Sequence, residues 1–116
     1  MSTPGSEVKR LRRKATRKAT RELINGYKEN IGCVDCPAGT KHPCYVLDFD
    51  HLIAEEKIDS ISIMIKDEAS IRRIFNEIKK CEVVCKNHHA IRTHKRRNGL
   101  PLTGDTSTAT DKYARL

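Results

Sequence analysis

The sequence predicts one small α+β domain, and three observations support this prediction. The chain has 116 residues, which is room for a single domain. Helix-compatible segments are interrupted by two short strand-like runs. The chain contains five Cys and five His, yet only 37% of its residues are hydrophobic and it has no Trp. Because such a chain buries little apolar surface per residue, we expect a metal ion to help hold the fold together.

The N-terminal elements are predicted from composition and spacing. Residues 1–6 predict a disordered leader, and residues 7–30 predict a basic helix because they lack Pro and are rich in Arg, Lys, Ala and Glu. A thin apolar stripe suffices to dock one face of this helix: Val8, Leu11, Ala15, Ala19, Leu23 and Ile24. Residues 32–43 are turn-rich, and alternation over residues 45–51 predicts a strand.

The second half of the domain has clearer periodicity. Residues 58–66 are apolar but too short for periodicity to distinguish strand from helix. Ser70 can cap a helix whose apolar residues recur at helical spacing, namely Ile71, Ile74, Phe75 and Ile78. Residues 81–85 then predict a strand, and residues 86–97 predict a helix that ends before Asn-Gly.

Charge is distributed unevenly along the chain. Residues 1–30 carry a net charge of +6, residues 31–85 carry −3 and residues 86–97 carry +5, within a total of +8. Two basic edges around an acidic centre favour a polyanionic partner, although a solvated basic helix is an alternative for the N-terminal run. The sequence has no secretory signal and no long apolar stretch, so we expect a cytoplasmic protein. The predicted domain spans residues 31–98, and residues 99–116 predict a flexible tail.

Two ligand pairs predict a structural zinc site. Cys33 and Cys36 are separated by two residues, as are Cys85 and His88, and this spacing lets both members of a pair reach one ion. In a reducing compartment an odd number of cysteines favours metal ligands over disulfides. The alternative is ordinary buried thiols and a surface His. Two further cysteines, Cys44 and Cys81, are interpreted as packed thiols. Cys81 also competes for a ligand position.

A second group of residues suggests hydrolytic chemistry. Asp50 and His51 end the predicted strand, and His89 follows the proposed zinc ligand His88. Adjacent helical side chains point about 100° apart, so His88 and His89 do not easily serve one ion. The arrangement permits Asp50 and His89 to hold a divalent cation while His51 acts as a base, a role that suits an imidazole with a reference pKa of ~6.5. The alternative is that Asp50 and His51 only stabilise a turn and that His89 is a surface residue.

The candidate residues lie within a series of short motifs, namely Leu47-Asp-Phe-Asp-His51, Lys57, Ile61-Ser-Ile-Met64, the run from Glu77 to His89, and Ile91-Arg-Thr93. Together these motifs resemble the HNH endonuclease family, in particular a small zinc-stapled branch common in bacteriophages and bacteria. The resemblance covers about residues 30–95. It implies a ββα-metal core with a zinc knuckle, and a metal-dependent endonuclease that nicks or cuts double-stranded DNA in a bacterial cell or a phage-infected host.

The resemblance also implies residue roles. His51 matches the general base, and Asp50 and His89 match the ligands of a catalytic Mg²⁺, Mn²⁺ or Ni²⁺ ion. The structural Zn²⁺ ligands of the family are matched by Cys33, Cys36, Cys85 and His88. The family usually has Cys where His88 stands, and its central Asn has no counterpart in register, where Lys80 and Cys81 stand instead.

The expected partner is double-stranded DNA, with phage DNA-processing proteins as further candidates. The residues of the C-terminal basic segment that we expect to hold phosphates are Lys86, Arg92, Lys95, Arg96 and Arg97. One alternative is a noncatalytic, zinc-ribbon-like nucleic-acid-binding module, which has no need of Asp50, His51 and His89. Another is a structural protein that contacts a larger assembly through the basic helix.

Overall fold

The computed structural model describes residues 4–102. Within this range the helices and strands follow in the order α1 (Pro4–Ile31), β1 (Leu47–His51), α2 (Ile61–Lys66), α3 (Ile71–Ile78), β2 (Cys81–Cys85) and α4 (Lys86–Arg97). The two strands pair in antiparallel fashion, with Leu47 opposite Cys85 and His51 opposite Cys81. The predicted small α+β fold is therefore confirmed. Since β2 leads directly into α4, the first turn of this helix lies at the end of the sheet.

Helix α1 begins earlier than the sequence indicated. Pro4 occupies its first position, where the missing N–H is not needed and the fixed φ suits a helix. The prediction of a disordered leader over residues 1–6 is therefore wrong for residues 4–6, and residues 1–3 lie outside the described range. The helix ends before Gly32, whose φ of +74° lets its N–H donate to the Lys28 carbonyl oxygen at 2.8 Å. The predicted tail is described only as far as residue 102.

Only the C-terminal half of α1 packs on the domain. Thr20 and Ile24 are buried, whereas Val8 and Leu11 are about half exposed. The predicted apolar stripe docks only in part, because a 28-residue helix is about 42 Å long and extends past the core. Within residues 4–102 no helix combines the length and the apolar character that crossing a membrane requires.

Serine residues cap the N-termini of the two short helices α2 and α3. Ser60 Oγ accepts from the Ile63 N–H at 3.3 Å and caps helix α2, which takes up residues 61–66 of the ambiguous run over residues 58–66. The predicted Ser70 cap of α3 is confirmed, with Oγ accepting from the Arg73 N–H at 3.2 Å. Strand β1 starts two residues later than predicted because a single 3₁₀ turn occupies Cys44–Val46.

The core consists of two small clusters joined by aromatic rings. The first lies between α1, α2 and α3 and contains Ile24, Ile61, Met64, Ile65, Ile74 and Ile78. The second lies beside the sheet and contains Cys33, Leu47, Val83, Val84 and Cys85. Tyr27 and Phe49 pack against both clusters, and their rings stack with centroids 6.3 Å apart. This junction fixes α1 against β1, the strand that carries Asp50 and His51.

Candidate metal centre and adjoining histidine site

The four predicted zinc ligands come from two corners of the fold. The turn after α1 carries Cys33 and Cys36, and the Cys36 N–H donates to the Cys33 carbonyl oxygen at 3.3 Å. Cys85 ends β2 and caps α4, where its Sγ accepts from the His88 N–H at 3.5 Å. His88 therefore lies in the first turn of α4, above the cysteine that precedes it.

The ligand atoms are close enough to bind one metal ion. All four lie within 4.8 Å of one another. The sulfur atoms of Cys36 and Cys85 are 3.9 Å apart, and His88 Nδ1 lies 3.2 Å from the Cys85 sulfur. Sulfur atoms about 2.3 Å from a tetrahedral Zn²⁺ are about 3.8 Å apart. Three cysteines and one histidine at this spacing fit zinc, and the predicted grouping is confirmed.

The thiol of Cys36 has a raised pKa, as expected where thiols are close together and no cation is bound. Desolvation and the neighbouring Cys33 and Cys85 thiols raise the pKa of Cys36 to about 12. Without a metal this thiol stays protonated near neutral pH, whereas zinc would bind it as the thiolate and release its proton. His42 lies beside the group, with Nε2 3.4 Å from the Cys36 sulfur. This histidine is not among the predicted ligands.

A buried arginine lies between the predicted zinc site and the strand end. Arg92 of α4 is 0% exposed. Its guanidinium donates to both carboxylate oxygens of Asp35, at 2.7 and 2.9 Å, and to Asp50 and Glu82 at 2.9 Å each. The bidentate pair with Asp35 raises the pKa of Arg92 further above its already high value. Arg92 thus ties the cysteine turn, β1, β2 and α4 together.

Asp50 is a buried carboxylate between two arginines. In addition to the Arg92 contact, Arg96 donates to both Asp50 oxygens at 2.7 Å. Burial acts to raise the pKa of Asp50, but the hydrogen bonds from Arg96 and Arg92 outweigh it and lower the pKa below its ordinary value. The residue is therefore an ionised carboxylate whose oxygens already have cationic partners.

His89 points away from the predicted zinc site, towards the strand. Its Nδ1 lies 3.0 Å from Asp48 Oδ2, and its Nε2 lies 3.5 Å from Asp50 Oδ1. Lys86 donates to the other oxygen of Asp48 at 2.9 Å. His88 and His89 thus serve different groups, and His89 meets both carboxylates of one strand face.

His51 lies on the opposite side of the strand from Asp50 and contacts an acid that the sequence did not indicate. Its Nε2 is 2.8 Å from Oε2 of Glu77, a residue of α3 that is 2% exposed. The His51 side chain itself is 10% exposed. Burial acts to raise the pKa of Glu77, but hydrogen bonds from Lys80, the Ile58 N–H and His51 lower it to about 2.

Acid should destabilise the fold through Glu77. A carboxyl group whose pKa is lowered by folding stabilises the native state above its unfolded pKa of 4.5, and this contribution is lost as the pH falls towards 2. Acid also protonates the predicted zinc ligands and would release the ion, so the comparison is made at pH 7, where the contribution of Glu77 is complete. We expect a lower urea midpoint for zinc-loaded Glu77→Gln than for the wild type, and an equal midpoint in the variant contradicts the assignment.

The predicted phosphate-binding residues have different surroundings. Arg92 cannot contact DNA because it is fully buried in its carboxylate cluster, so that prediction is wrong. Arg96 is engaged with Asp50, although its side chain is 33% exposed. Lys86 and Arg97 are exposed, and Lys95 is partly so. The described basic surface of α4 is therefore smaller than its charge suggests.

Sequence patterns missed the acids that hold this site together. Asp35 was visible only as a spacer between two cysteines, and Glu82 only as a residue of a strand. Glu77 had one available signal, because it lies three residues after Ile74 on the apolar face of α3, where a carboxylate is unusual. In comparisons with known proteins, no family model, no curated protein and no solved structure matches this chain.

Proposed function

We propose that this protein is a metal-dependent endonuclease of the HNH type that hydrolyses phosphodiester bonds in double-stranded DNA. The observation that carries the proposal is the pair formed by Asp50 of β1 and His89 of α4, whose Oδ1 and Nε2 lie 3.5 Å apart, with His51 next to Asp50 in the strand. His51 contacts a buried carboxylate, as an oriented base does. A carboxylate and an imidazole lie on the other face of the strand.

The local architecture supports this proposal. Two antiparallel strands lead into a helix, and the predicted zinc ligands Cys85 and His88 lie at the junction between β2 and α4. A metal bound there would fix the first turn of α4, and with it the direction of His89. The catalytic candidates would then sit on rigid elements, which hold reacting groups more accurately than loops do.

Asp50 and His89 have donor atoms suited to a divalent cation. Oxygen and imidazole ligands about 2.1 Å from one ion are about 3 Å apart, and Asp50 Oδ1 lies 3.5 Å from His89 Nε2. Arg96 occupies the same carboxylate, so binding of a cation requires this exposed side chain to move away. When bound, the cation would supply positive charge for the scissile phosphate.

The protein's own groups account for the remaining steps. His51 would accept the proton of the attacking water, because a neutral imidazole is a suitable base near pH 7. Lys86 and Arg97 are exposed on α4 and would hold flanking phosphates. The basic residues of α1 would extend the contact along the duplex, since its N-terminal half projects past the core.

Replacing the base should slow cleavage strongly without unfolding the protein. His51→Ala should slow nicking of supercoiled plasmid in Mn²⁺ by about 10²–10⁴-fold, the usual contribution of a general base. Gel analysis of relaxed and linear plasmid measures the rate, and zinc content reports an intact fold. His94→Ala, which changes an exposed histidine of α4, is the matched control and should cleave normally. Equal activity in His51→Ala would overturn the assignment.

A noncatalytic nucleic-acid-binding module is the second candidate, and one observation favours it. Both oxygens of Asp50 accept hydrogen bonds from arginines, so in this arrangement the carboxylate serves as a structural anion. Such a module would keep the predicted zinc site and the basic surface, and would bind DNA without hydrolysing it.

Removing Arg96 discriminates between the two candidates. If Asp50 and His89 form a cation site, Arg96→Ala should strengthen Mn²⁺ binding by about 10- to 100-fold, because a charged hydrogen-bond donor worth about 1.5–3 kcal/mol no longer competes for the carboxylate. Electron paramagnetic resonance of free Mn²⁺ measures the affinity in zinc-loaded protein. Arg97→Ala is the control and should match the wild type. Unchanged, negligible Mn²⁺ binding in all three proteins would favour the module.

A further inference from the structure

Glu77 is a buried carboxylate with three polar partners, namely His51, Lys80 and the Ile58 N–H. It lies on the inner face of α3 beside Ile74 and Ile78, where an ionised group is destabilising unless it is paired. Oε2 accepts from the Ile58 N–H at 3.1 Å and lies 2.8 Å from His51 Nε2. Its contacts therefore join α3 to the loop after β1 and to the strand end itself.

Lys80 fixes the other oxygen of this carboxylate. Its Nζ donates to Glu77 Oε1 at 3.0 Å and to the Glu56 carbonyl oxygen at 2.9 Å. The Lys80 carbonyl oxygen also accepts from the Leu52 N–H at 3.1 Å. With Oε1 held by the lysine, Oε2 remains directed at the imidazole. The carboxylate plane is thus defined by contacts on both sides.

This geometry determines which nitrogen of His51 carries the proton. An ionised carboxylate accepts hydrogen bonds and donates none, so His51 Nε2 must be the donor to Glu77. In the neutral imidazole the other nitrogen, Nδ1, then has the free lone pair. A low pKa of about 2 for Glu77 keeps the carboxylate ionised and in its accepting role at neutral pH.

We infer that Glu77 is a positioning residue, which holds His51 through Nε2 so that Nδ1 is the atom that accepts the proton of the attacking water. This inference rests on the proposed nuclease function and adds the orientation of its base. Lys80 and the Ile58 N–H anchor Glu77 in turn. The arrangement is that of a nucleophile-activating histidine oriented by a carboxylate, with water as the nucleophile.

Nuclear magnetic resonance of the ring nitrogens tests the orientation without DNA. In zinc-loaded wild type at about pH 8.5, well above the reference imidazole pKa of ~6.5, His51 should carry a slowly exchanging proton on Nε2 and none on Nδ1. Glu77→Leu should lose this slow exchange, whereas Glu55→Leu, which replaces an exposed acid, should keep it. A proton on Nδ1 of His51 in the wild type would overturn the inference even if the variant fails to fold.

Plasmid cleavage tests the consequence for catalysis. Glu77→Leu should lower the turnover rate about 10²-fold, the loss expected when a reacting group is misplaced, while the KM for DNA stays near that of the wild type. Glu55→Leu should have wild-type values for both. Wild-type turnover in folded Glu77→Leu would overturn the positioning role. Absence of cleavage by the wild type would overturn the proposed function, and an intact Nε2–H signal would separate that outcome from failure of the His51–Glu77 geometry.

Discussion

Removing zinc from the Cys33, Cys36, Cys85 and His88 site should unfold the domain. Structural zinc contributes about 10–16 kcal/mol in small zinc-binding domains, which is comparable with the entire stability of about 5–15 kcal/mol of a typical domain. We expect the cooperative thermal transition, followed by circular dichroism, to disappear after chelation and in Cys85→Ser. Metal analysis of the wild type should find about one zinc per chain.

Cys44→Ser is the matched control for this experiment. Cys44 is a free cysteine outside the ligand group, in the 3₁₀ turn before β1. Its replacement should leave both the zinc content and the melting temperature near wild-type values. A chelated wild-type protein that kept a cooperative transition at the original temperature would show that the core alone stabilises the fold.

Replacing Arg92 should be the most destabilising change outside the zinc ligands. Arg92→Ala would leave Asp35, Asp50 and Glu82 without their shared cation, and removing one partner of a buried ion pair costs about 3–5 kcal/mol. Arg92→Lys should also destabilise, because an ammonium cannot reproduce the bidentate contact with Asp35. Urea denaturation of zinc-loaded protein measures the free energy of unfolding.

Arg97→Ala gives the comparison on the same helix. Arg97 is exposed, so its removal should change the free energy of unfolding by less than about 0.5 kcal/mol. If Arg92→Ala were as stable as Arg97→Ala, the buried cluster would contribute nothing and Arg92 would be available for another role. A loss in Arg92→Ala that disappears when Asp35 is also changed to Asn would identify their pair as the source.

Local patterns predicted the parts of the fold that depend on local physics. The stripe from Ile71 to Ile78 and the Ser70 cap specify α3, because helical spacing and a capping hydroxyl act within a few residues. The two ligand pairs specify the Cys3His group for a similar reason, since ligand spacing restricts which side chains can share an ion. The six-residue helix α2 was not predicted, since its apolar run suits a strand equally well.

The long-range pairs were not predictable from such patterns. Arg92 looked like one basic residue among five, and its burial depends on Asp35, which lies 57 positions away in the sequence. Glu77 and His51 are 26 positions apart, and their contact depends on how α3 packs against β1. Single-sequence spacing carries no information on these distances. The candidate histidines were therefore identifiable, but their partners were not.

The two aromatic rings at the centre of the core couple the predicted zinc site to the surroundings of His51. Because Tyr27 and Phe49 pack against both clusters, we expect loosening of the core next to the predicted zinc site to expose also the part that packs against α3. Helix α3 carries Glu77, so a chain deprived of zinc would lose the support of His51 together with its fold. Under the proposed function, a shortage of zinc would therefore lower the number of folded, active molecules rather than slow every molecule equally.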